Sequence, residues 1–241
     1  MIRVGRVKYT NVADFPDYKP ITVMTASSEY ASLSPYLLKN DKGQIMENLW
    51  QFSKLYINVP KTTCNYSRWN KIVTWDHPAE THIIDSQCTP EFANWRNKGY
   101  NCGYAIRYPV GFHHRHNCVG SFYGGDDLGK CSGILNYIDS RKELYVPLYH
   151  KLVIQQRQFT ELRELLDNDV NLLILEVDGP HQDSLHYYQN KYNVGNDFII
   201  DDTVIVTKEN MKILINDKKH PFGHGYCLGA SLLGIQEEIV E

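Results

Sequence analysis

The segment from Val146 to Val177 constrains the fold more than any other part of this chain. In its first part, apolar side chains fall on one face of a helix, and these are Leu148, Leu152, Phe159, Leu162 and Leu166. Pro147 suits the first helical turn, and Asn168-Asp169 end the pattern. The apolar run Leu172–Val177 then predicts a buried strand with Glu176 near its end. The segment therefore predicts a long helix that leads into a core strand.

The other predicted elements are shorter. β-Branched or apolar runs predict strands at Ile2–Val7, Ile21–Met24 and Leu33–Lys39, and a hairpin at Phe198–Val206 around Asp201-Asp202. Met211–Ile215 either continues this hairpin or forms a short helix, and Leu228–Val240 has helical spacing. We expect an α+β fold of one domain, residues 1–241, in which about 58–140 and 179–216 are loop-rich.

The charge balance argues against general binding to nucleic acid. Lysine and arginine number 25 and aspartate and glutamate 28, which gives a formal net charge of −3, so any polyanion contact is local. No apolar run approaches the ~18–20 residues of a membrane helix, and the first residues lack the apolar core of a signal peptide. Six cysteines without a Cys-x-x-Cys pair predict free thiols. We expect a soluble, cytoplasmic protein with no membrane partner.

The segment Ile45–Lys54 is predicted to form a helix, and it carries a row of polar residues, Glu47, Gln51 and Lys54. Glu47, Gln51 and Lys54 share one helical face, and Trp50 lies close to it. If this face points to solvent, the row has no special role. If it points into a cleft, it offers a carboxylate, an amide, an ammonium and a flat ring to a ligand.

A glycine-rich segment, Asp217–Gly229, runs into the last predicted helix. Glycines allow a backbone to approach a ligand, and a helix N-terminus favours anions, so Gly223, His224 and Gly225 are predicted to hold a phosphate. Lys218 and Lys219 strengthen that interpretation. The alternative is an ordinary turn followed by an amphipathic helix.

Two histidine-rich stretches are candidate metal sites. His77, Glu80 and His82 cluster, but Pro78 opposes a regular metal-binding helix. The stretch that contains His113, His114, His116 and Cys118 lacks a second spaced pair of ligands, so it either lines a pocket or forms a surface loop. We expect no metal and no cofactor, although the second stretch leaves zinc open. Arg107 and Arg141 are predicted phosphate ligands, since guanidinium binds phosphate bidentately.

The order of these parts resembles the NADAR (YbiA-like) family of N-glycosidases. The matching parts are Leu33-Ser-Pro-Tyr and a turn, Glu47-x-x-x-Gln51-x-x-Lys54, the helix that ends Phe159-x-x-Leu162-x-x-Leu-Leu166, the strand Leu173–Glu176, Asp217, and Gly223-x-Gly225-x-x-Leu228-Gly229. The chain departs from the family at Asn48, where the family has histidine, and at Pro221-Phe222, where it has tryptophan before the glycines. The family's asparagine before Leu-Gly is either missing or replaced by Tyr226 after a one-residue gap, and about 58–140 and about 179–216 are insertions relative to compact members.

The resemblance implies a compact NADAR-like domain that cleaves an N-glycosidic bond at C1 of ribose. Such a reaction passes through an oxocarbenium-like transition state, which a carboxylate stabilises. Glu47 is the predicted key carboxylate, and Asp217 or Glu176 the second. Substrate binding is assigned to Asn48, Trp50, Gln51, Lys54, Arg107, Lys218, Lys219, Gly223, His224, Gly225 and Tyr226.

The implied substrate is a small-molecule nucleotide or an ADP-ribosylated nucleobase, and a nucleic acid that carries such a base is also compatible with the pattern. Two other functions stay open at this stage. One is a transferase that moves a ribosyl or ADP-ribosyl group to a nucleobase. The other is a catalytically silent module that binds ADP-ribose or another nucleotide.

Overall fold

The computed structural model describes residues 1–24, 29–57, 83–84, 87–122 and 133–241, without the side chains of 83–84, 87–88 and 112–113. Contacts divide the chain into two compact units. The first unit combines Met1–Leu38 with Arg141–Glu241, and the second is Lys39–Ser140. The second unit is therefore inserted in the sequence of the first. The expectation of a single domain stays a prediction.

Helices and strands occur in both units. The strands are β1 Ile2–Arg6, β2 Tyr18–Thr22, β3 Lys54–Tyr56, β4 Ile83–Ile84, β5 Gln87–Cys88, β6 Cys118–Phe122, β7 Ile134–Leu135, β8 Asn171–Glu176 and β9 Thr203–Ile205. The helices are α1 Met46–Gln51, α2 Pro90–Tyr100, α3 Tyr137–Ser140, α4 Val146–Val153, α5 Arg157–Asp167, α6 Leu185–Tyr192, α7 Lys208–Ile215 and α8 His224–Leu233. The predicted mixture of helix and strand is confirmed. Within the described parts of the chain, no helix is long and apolar enough to cross a bilayer.

The first unit is built around the predicted buried strand. Its four strands lie in the order β2-β8-β1-β9, with β8 parallel to both of its neighbours and β9 antiparallel to β1. Leu172–Leu175 are all buried in β8 because a central parallel strand is covered on both faces. Helix α8 packs on β1 and β8 and also contacts α4, α5 and α7. The prediction of a core strand that ends at Glu176 is confirmed.

The predicted long helix is two helices. Helix α4 ends at Val153 and α5 begins at Arg157, because Gln156 has an extended backbone with φ −87° and ψ 136°. A π-helical turn, Arg141–Tyr145, precedes α4. The apolar spacing continues across the break between α4 and α5. Periodicity alone therefore predicts one helix, although the chain turns between two.

Two other predictions need correction. Leu33–Lys39 is not a strand, because a 3₁₀ turn at Ala31–Leu33 leads into further turns and Pro35 has no N–H for a sheet. The last helix begins earlier than predicted, at His224, and ends at Leu233, before Gly234, whose φ is 72°. For Met211–Ile215 the helical alternative is confirmed, since the segment belongs to helix α7, whose first turn Thr207 caps.

The second unit contains the three-stranded sheet β3-β6-β7 and the hairpin β4-β5. Its apolar core consists of Phe52, Leu55, Tyr56, Phe92, Trp95, Ile106, Val110 and Phe122. Helix α2 lies in the stretch that was predicted to be irregular, and the Thr89 hydroxyl caps its first turn. Gly99 of α2 packs so closely on Phe52 that an added Cβ would lie 2.1 Å from the ring. This close packing brings α1 and α2 together.

Candidate functional site

Helix α1 in the second unit carries the first two members of the polar row. Glu47 and Gln51 are both buried, and Gln51 Nε2 donates a hydrogen bond of 2.9 Å to Glu47 Oε1. Lys54 lies beyond the helix, at the start of β3, yet its Nζ donates to Gln51 Oε1 at 2.7 Å. The solvent-facing alternative for Glu47 and Gln51 is therefore wrong. Because one amide bridges the carboxylate and the ammonium, its orientation is fixed.

Lys54 is a partly buried cation. Burial lowers the pKa of Lys54, while Cys118 and Glu47 act in the opposite direction and Arg107 lowers it further. The Lys54 ammonium lies 4.9 Å from the centroid of the Trp50 ring. Trp50 is buried beneath this cation, and the cavity described below does not include it. The arrangement favours a cation–π support for Lys54 over the predicted platform for a base.

Asn48 holds the loop that carries Arg107. Its Nδ2 donates to the carbonyl oxygens of Cys102 and Tyr104, at 3.2 and 2.9 Å. Its Oδ1 accepts from the backbone N–H of Ile106 at 2.8 Å. Both amide hydrogens and the oxygen are thus engaged with backbone in a fully buried side chain. The geometry favours a positioning role for Asn48 over the predicted contact with substrate.

A cavity of about 420 Å³ lies in the second unit. It is lined by the cations Lys54, Arg107 and Arg115, and its polar wall includes Gln51, Tyr56 and Ser121. Lys54 and Ser121 are register partners on β3 and β6, so the two strands form part of its wall. Its volume lies in the range of small-molecule sites. Glu47 is not among the described residues that form the wall. It contacts the wall through Gln51, which lines the cavity and donates a hydrogen bond to Glu47.

Neutral donors accompany these cations. Burial raises the pKa of Tyr56 well above its ordinary value, so the hydroxyl stays protonated at neutral pH. Burial also raises the pKa of the Cys118 thiol, although the Lys54 charge opposes that rise. Gly111 in the wall has φ 79°, a left-handed backbone that favours glycine. The cavity is therefore cationic and rich in hydrogen-bond donors.

In the first unit, Glu176 occupies the place where the glycine loop was predicted to hold a phosphate. A Cβ at Gly223 would lie 2.3 Å from Glu176 Oε2, and one at Gly225 would lie 2.9 Å from Oε1. The glycines therefore admit a fully buried carboxylate at the start of α8. A carboxylate there has the same favourable interaction with the helix dipole as a phosphate would, and it would repel a second anion. The arrangement does not favour the predicted phosphate site.

His224 lies between Glu176 and the chain after β2. Its Nε2 lies 2.8 Å from the Val23 carbonyl oxygen, which can only accept, so Nε2 carries a hydrogen. Its Nδ1 lies 3.1 Å from Glu176 Oε2, within ion-pair distance when the imidazole is protonated. The ring thus connects β8, α8 and the chain after β2.

Asp217 is the centre of a tyrosine-rich network in the first unit. Tyr187 and Tyr188 donate to its two oxygens at 2.5 and 3.1 Å, and His220 Nδ1 lies 2.6 Å from Oδ2. Lys191 and Tyr192 add contacts of 3.3 Å. Burial alone would raise the pKa of Asp217, but these hydrogen bonds outweigh burial and hold that pKa well below its usual range. The network favours an anchoring role, and the catalytic role of Asp217 stays a prediction.

The remaining predicted ligands of the first unit lie in other surroundings. Lys218 and Lys219 are exposed, and Lys219 Nζ lies 4.3 Å from the centroid of the Tyr187 ring. Tyr226 is buried and stacks on Phe222 at 5.1 Å, so it does not offer an open face to a base. Arg141 donates to the carbonyl oxygens of Ile215, Asp217 and His220, where it stabilises the end of α7.

The described residues contain no group of three potential metal ligands. His77, Glu80 and His82 lie outside the described residues, as does the side chain of His113. The predicted alternative that the histidine-rich loop lines a pocket is confirmed for Arg115 and Cys118. Cys102, Cys118 and Cys227 are free thiols, as predicted.

Sequence reasoning missed Arg115, Tyr56 and Ser121 as members of the cavity wall. Arg115 was missed because it lies between histidines, which directed attention to a metal site. A basic residue in a loop is itself a signal for an anion site. Ser121 had no such signal, because only strand pairing brings it beside Lys54. Tyr56 lies two residues after Lys54 on β3, so the alternation of a strand was its only signal.

No protein-family model, curated protein or solved structure that was compared with the chain matches it. The resemblance to the NADAR family therefore rests on the residues alone, and so do the activity and site roles that it implies.

Proposed function

We propose that the protein is an N-glycosidase that acts on a phosphorylated ribosyl compound, which binds in the cavity of the second unit. The observation that supports this most is the presence of Lys54, Arg107 and Arg115 around one cavity of about 420 Å³. Two guanidinium groups and an ammonium suit phosphate, and a cavity of this size suits a nucleotide. Gln51 orients the Lys54 ammonium at the start of β3, and Asn48 holds the loop that carries Arg107, so both cations are positioned before a ligand arrives.

Glu47 is the proposed carboxylate of the reaction. Cleavage at C1 of ribose develops positive charge on the sugar, and a nearby carboxylate stabilises it and can activate water. Glu47 is buried and bonded to Gln51, which lines the cavity. In this proposal Gln51 moves when the substrate binds and exposes the carboxylate. Glu176 belongs to the first unit, and its role as a second carboxylate stays a prediction from the resemblance.

A binding module without catalysis is the second candidate. One observation favours it, namely that Gln51 lies between Glu47 and the cavity. In such a module Glu47 fixes Gln51 and Lys54 and never contacts the ligand. A ribosyl or ADP-ribosyl transferase would use the same cations and differ only in the group that accepts the sugar.

The experiment is incubation with ADP-ribose, NAD and ribosylated nucleobases, followed by mass spectrometry of all products. We expect release of a free base or amine and loss of this release in Glu47→Gln, by ~100-fold or more for a carboxylate that stabilises the transition state. Glu164→Gln is the control, since Glu164 is exposed on α5. Transfer to an added nucleobase would identify a transferase. Ligand binding without turnover would favour the silent module, and unchanged turnover in Glu47→Gln would remove Glu47 from the mechanism.

A further inference from the structure

We infer that the first unit carries a reactive site of its own, a Ser184–His220–Asp217 relay that attacks the carbonyl carbon of a carboxylic ester. The Ser184 hydroxyl lies 3.2 Å from His220 Nε2, and His220 Nδ1 lies 2.6 Å from Asp217 Oδ2. All three residues belong to one compact unit. A nucleophile, a base and a carboxylate in this order form the relay of serine hydrolases, which occurs on unrelated folds. This activity is separate from the cleavage proposed for the second unit.

The Asp217 carboxylate fixes the tautomer of His220. Burial raises the pKa of Asp217, but hydrogen bonds outweigh burial and hold that pKa well below its usual range, so the carboxylate is ionised and can only accept. The short contact with Oδ2 therefore places a hydrogen on His220 Nδ1. In the neutral ring Nε2 is then the acceptor, and the Ser184 hydroxyl donates to it. A proton must move in this direction when a serine becomes a nucleophile.

Ser184 lies at the N-terminal end of helix α6, a place where a serine often caps the first turn. Within the described part of the chain its side chain makes no such capping bond, and its hydroxyl is directed to His220. The positive end of the helix dipole favours the negative charge that develops near this oxygen during attack. Ser184 and the His220 side chain are both partly exposed, so an ester in solution can reach them.

Two sets of hydrogen bonds hold the relay in place. From α6, Tyr187 and Tyr188 donate to the Asp217 carboxylate at 2.5 and 3.1 Å, so the helix is bound to this carboxylate. The buried Arg141 donates to the carbonyl oxygens of Asp217 and His220, and it thereby fixes the loop that carries both. Such support keeps a nucleophile and its base in a reactive geometry before a substrate binds.

The reaction transfers an acyl group first to Ser184 and then to water. His220 Nε2 takes the Ser184 proton while Oγ bonds to the carbonyl carbon, and the same proton passes to the alcohol as the C–O bond of the ester breaks. Nε2 next takes a proton from water, whose oxygen attacks the acyl carbon. The acid leaves as Ser184 Oγ recovers the proton from Nε2. Ser184 and His220 are thus catalytic residues, and Asp217 is a positioning residue.

The first test is treatment with a fluorophosphonate, which bonds covalently to activated serines, followed by mass spectrometry of the peptides. We expect the label on Ser184. The matched control is Ser231→Ala, because Ser231 also contacts a histidine, with its hydroxyl 3.1 Å from His150 Nδ1, but is buried. We expect this variant to leave the labelling of Ser184 unchanged. Absence of label from Ser184 in the unmodified protein would overturn the inference.

The second test is hydrolysis of p-nitrophenyl acetate by variants whose folding is verified by circular dichroism. We expect Ser184→Ala and His220→Gln to lower kcat by about 100-fold or more. Asp217→Asn should lower kcat with little change in KM, because an amide can donate to Nδ1 and so favours the wrong tautomer. An unchanged kcat in folded Ser184→Ala, or in folded Asp217→Asn, would contradict the relay.

Discussion

At the scale of single residues, the hydrogen bonds of Asn48 explain why an asparagine suits a position where the family that the chain resembles has histidine. Its amide makes three hydrogen bonds with the loop at 102–106, immediately before Arg107. An asparagine can donate twice and accept once at such a place, which an imidazole cannot do. The residue therefore contributes to the site by holding the backbone that presents a cation.

We predict that Asn48→Asp lowers the free energy of unfolding by about 1–3 kcal/mol, because a carboxylate would face the Cys102 and Tyr104 carbonyls without donors. The same change should weaken ADP-ribose binding, since Arg107 loses its support. Urea denaturation and calorimetry measure the two effects. Asn97→Asp is the control, because the exposed Asn97 side chain acts as an acceptor for Asn101 and keeps that ability. Stability and affinity equal to those of the unmodified protein would contradict the positioning role.

Gln51 also has a positioning role, because its side chain connects the Glu47 carboxylate with the Lys54 ammonium. We predict that Gln51→Leu weakens ADP-ribose binding by about tenfold, because Lys54 loses the acceptor that orients its ammonium. Gln51→Glu should keep an acceptor for Lys54 but place a second carboxylate beside Glu47, which raises the pKa of one of the two acids. Affinity measured between pH 5 and 8 should therefore depend on pH in Gln51→Glu. If neither variant alters binding, the row on α1 does not orient the site.

At the scale of elements, the start of helix α8 is fitted to the end of strand β8. Glu176 ends the strand, and its carboxylate lies against the backbone of Gly223 and Gly225. Gly223 has φ −86°, which any residue adopts, so its need for glycine comes from this close approach alone. The glycine-rich sequence therefore reflects packing between a strand and a helix.

We predict that Gly223→Ala destabilises the protein by about 1–3 kcal/mol, because the new methyl group would lie 2.3 Å from Glu176 Oε2. In the background Glu176→Ala the same change should cost much less, since the opposing carboxylate is gone. A double-mutant cycle by urea denaturation measures this coupling. Gly103→Ala serves as the control, as nothing lies within 4 Å of the added Cβ. Additive effects of the two changes would show that the contact does not decide the choice of glycine.

At the scale of the whole molecule, the dependence of stability on pH follows from Asp217. Hydrogen bonds from Tyr187 and His220 hold its pKa below the ordinary value in the folded chain, although burial acts the other way. A group whose pKa is depressed by folding adds stability above its unfolded pKa, about 3.9, and this stability is lost as the pH falls towards the folded value. Acid should therefore destabilise the molecule partly through this one carboxyl.

We predict that Asp217→Asn lowers the free energy of unfolding by about 3 kcal/mol at pH 7, because a buried, hydrogen-bonded charge is lost from its network. The difference between variant and unmodified protein should shrink below pH 4, where the carboxyl begins to be protonated in the unfolded chain but not in the folded one. Denaturation series from pH 7 down to 2.5 measure it. Asp183→Asn is the control, since its side chain is 91% exposed. A difference that does not depend on pH would mean that Asp217 has an ordinary pKa in the folded protein.

The sequence by itself determined the elements and contacts that depend on near neighbours. Apolar spacing and a continuous apolar run are local properties, so they predicted α5 and the core strand β8. The common face of Glu47 and Gln51 was predicted for the same reason, as the two lie one helical turn apart, and in the structure they form a hydrogen bond. The break at Gln156 was not predicted, because no local signal in the spacing marks it.

Only the tertiary structure decided which distant groups meet. Lys54 shares a cavity with Arg107 and Arg115 because β3 pairs with β6 and because Asn48 binds a remote loop. Glu176 fills the glycine loop because β8 and α8 pack together, although the loop by itself suggests a place for an external anion. Such contacts depend on how the chain closes over long separations, and short-range periodicity contains no information about that closure.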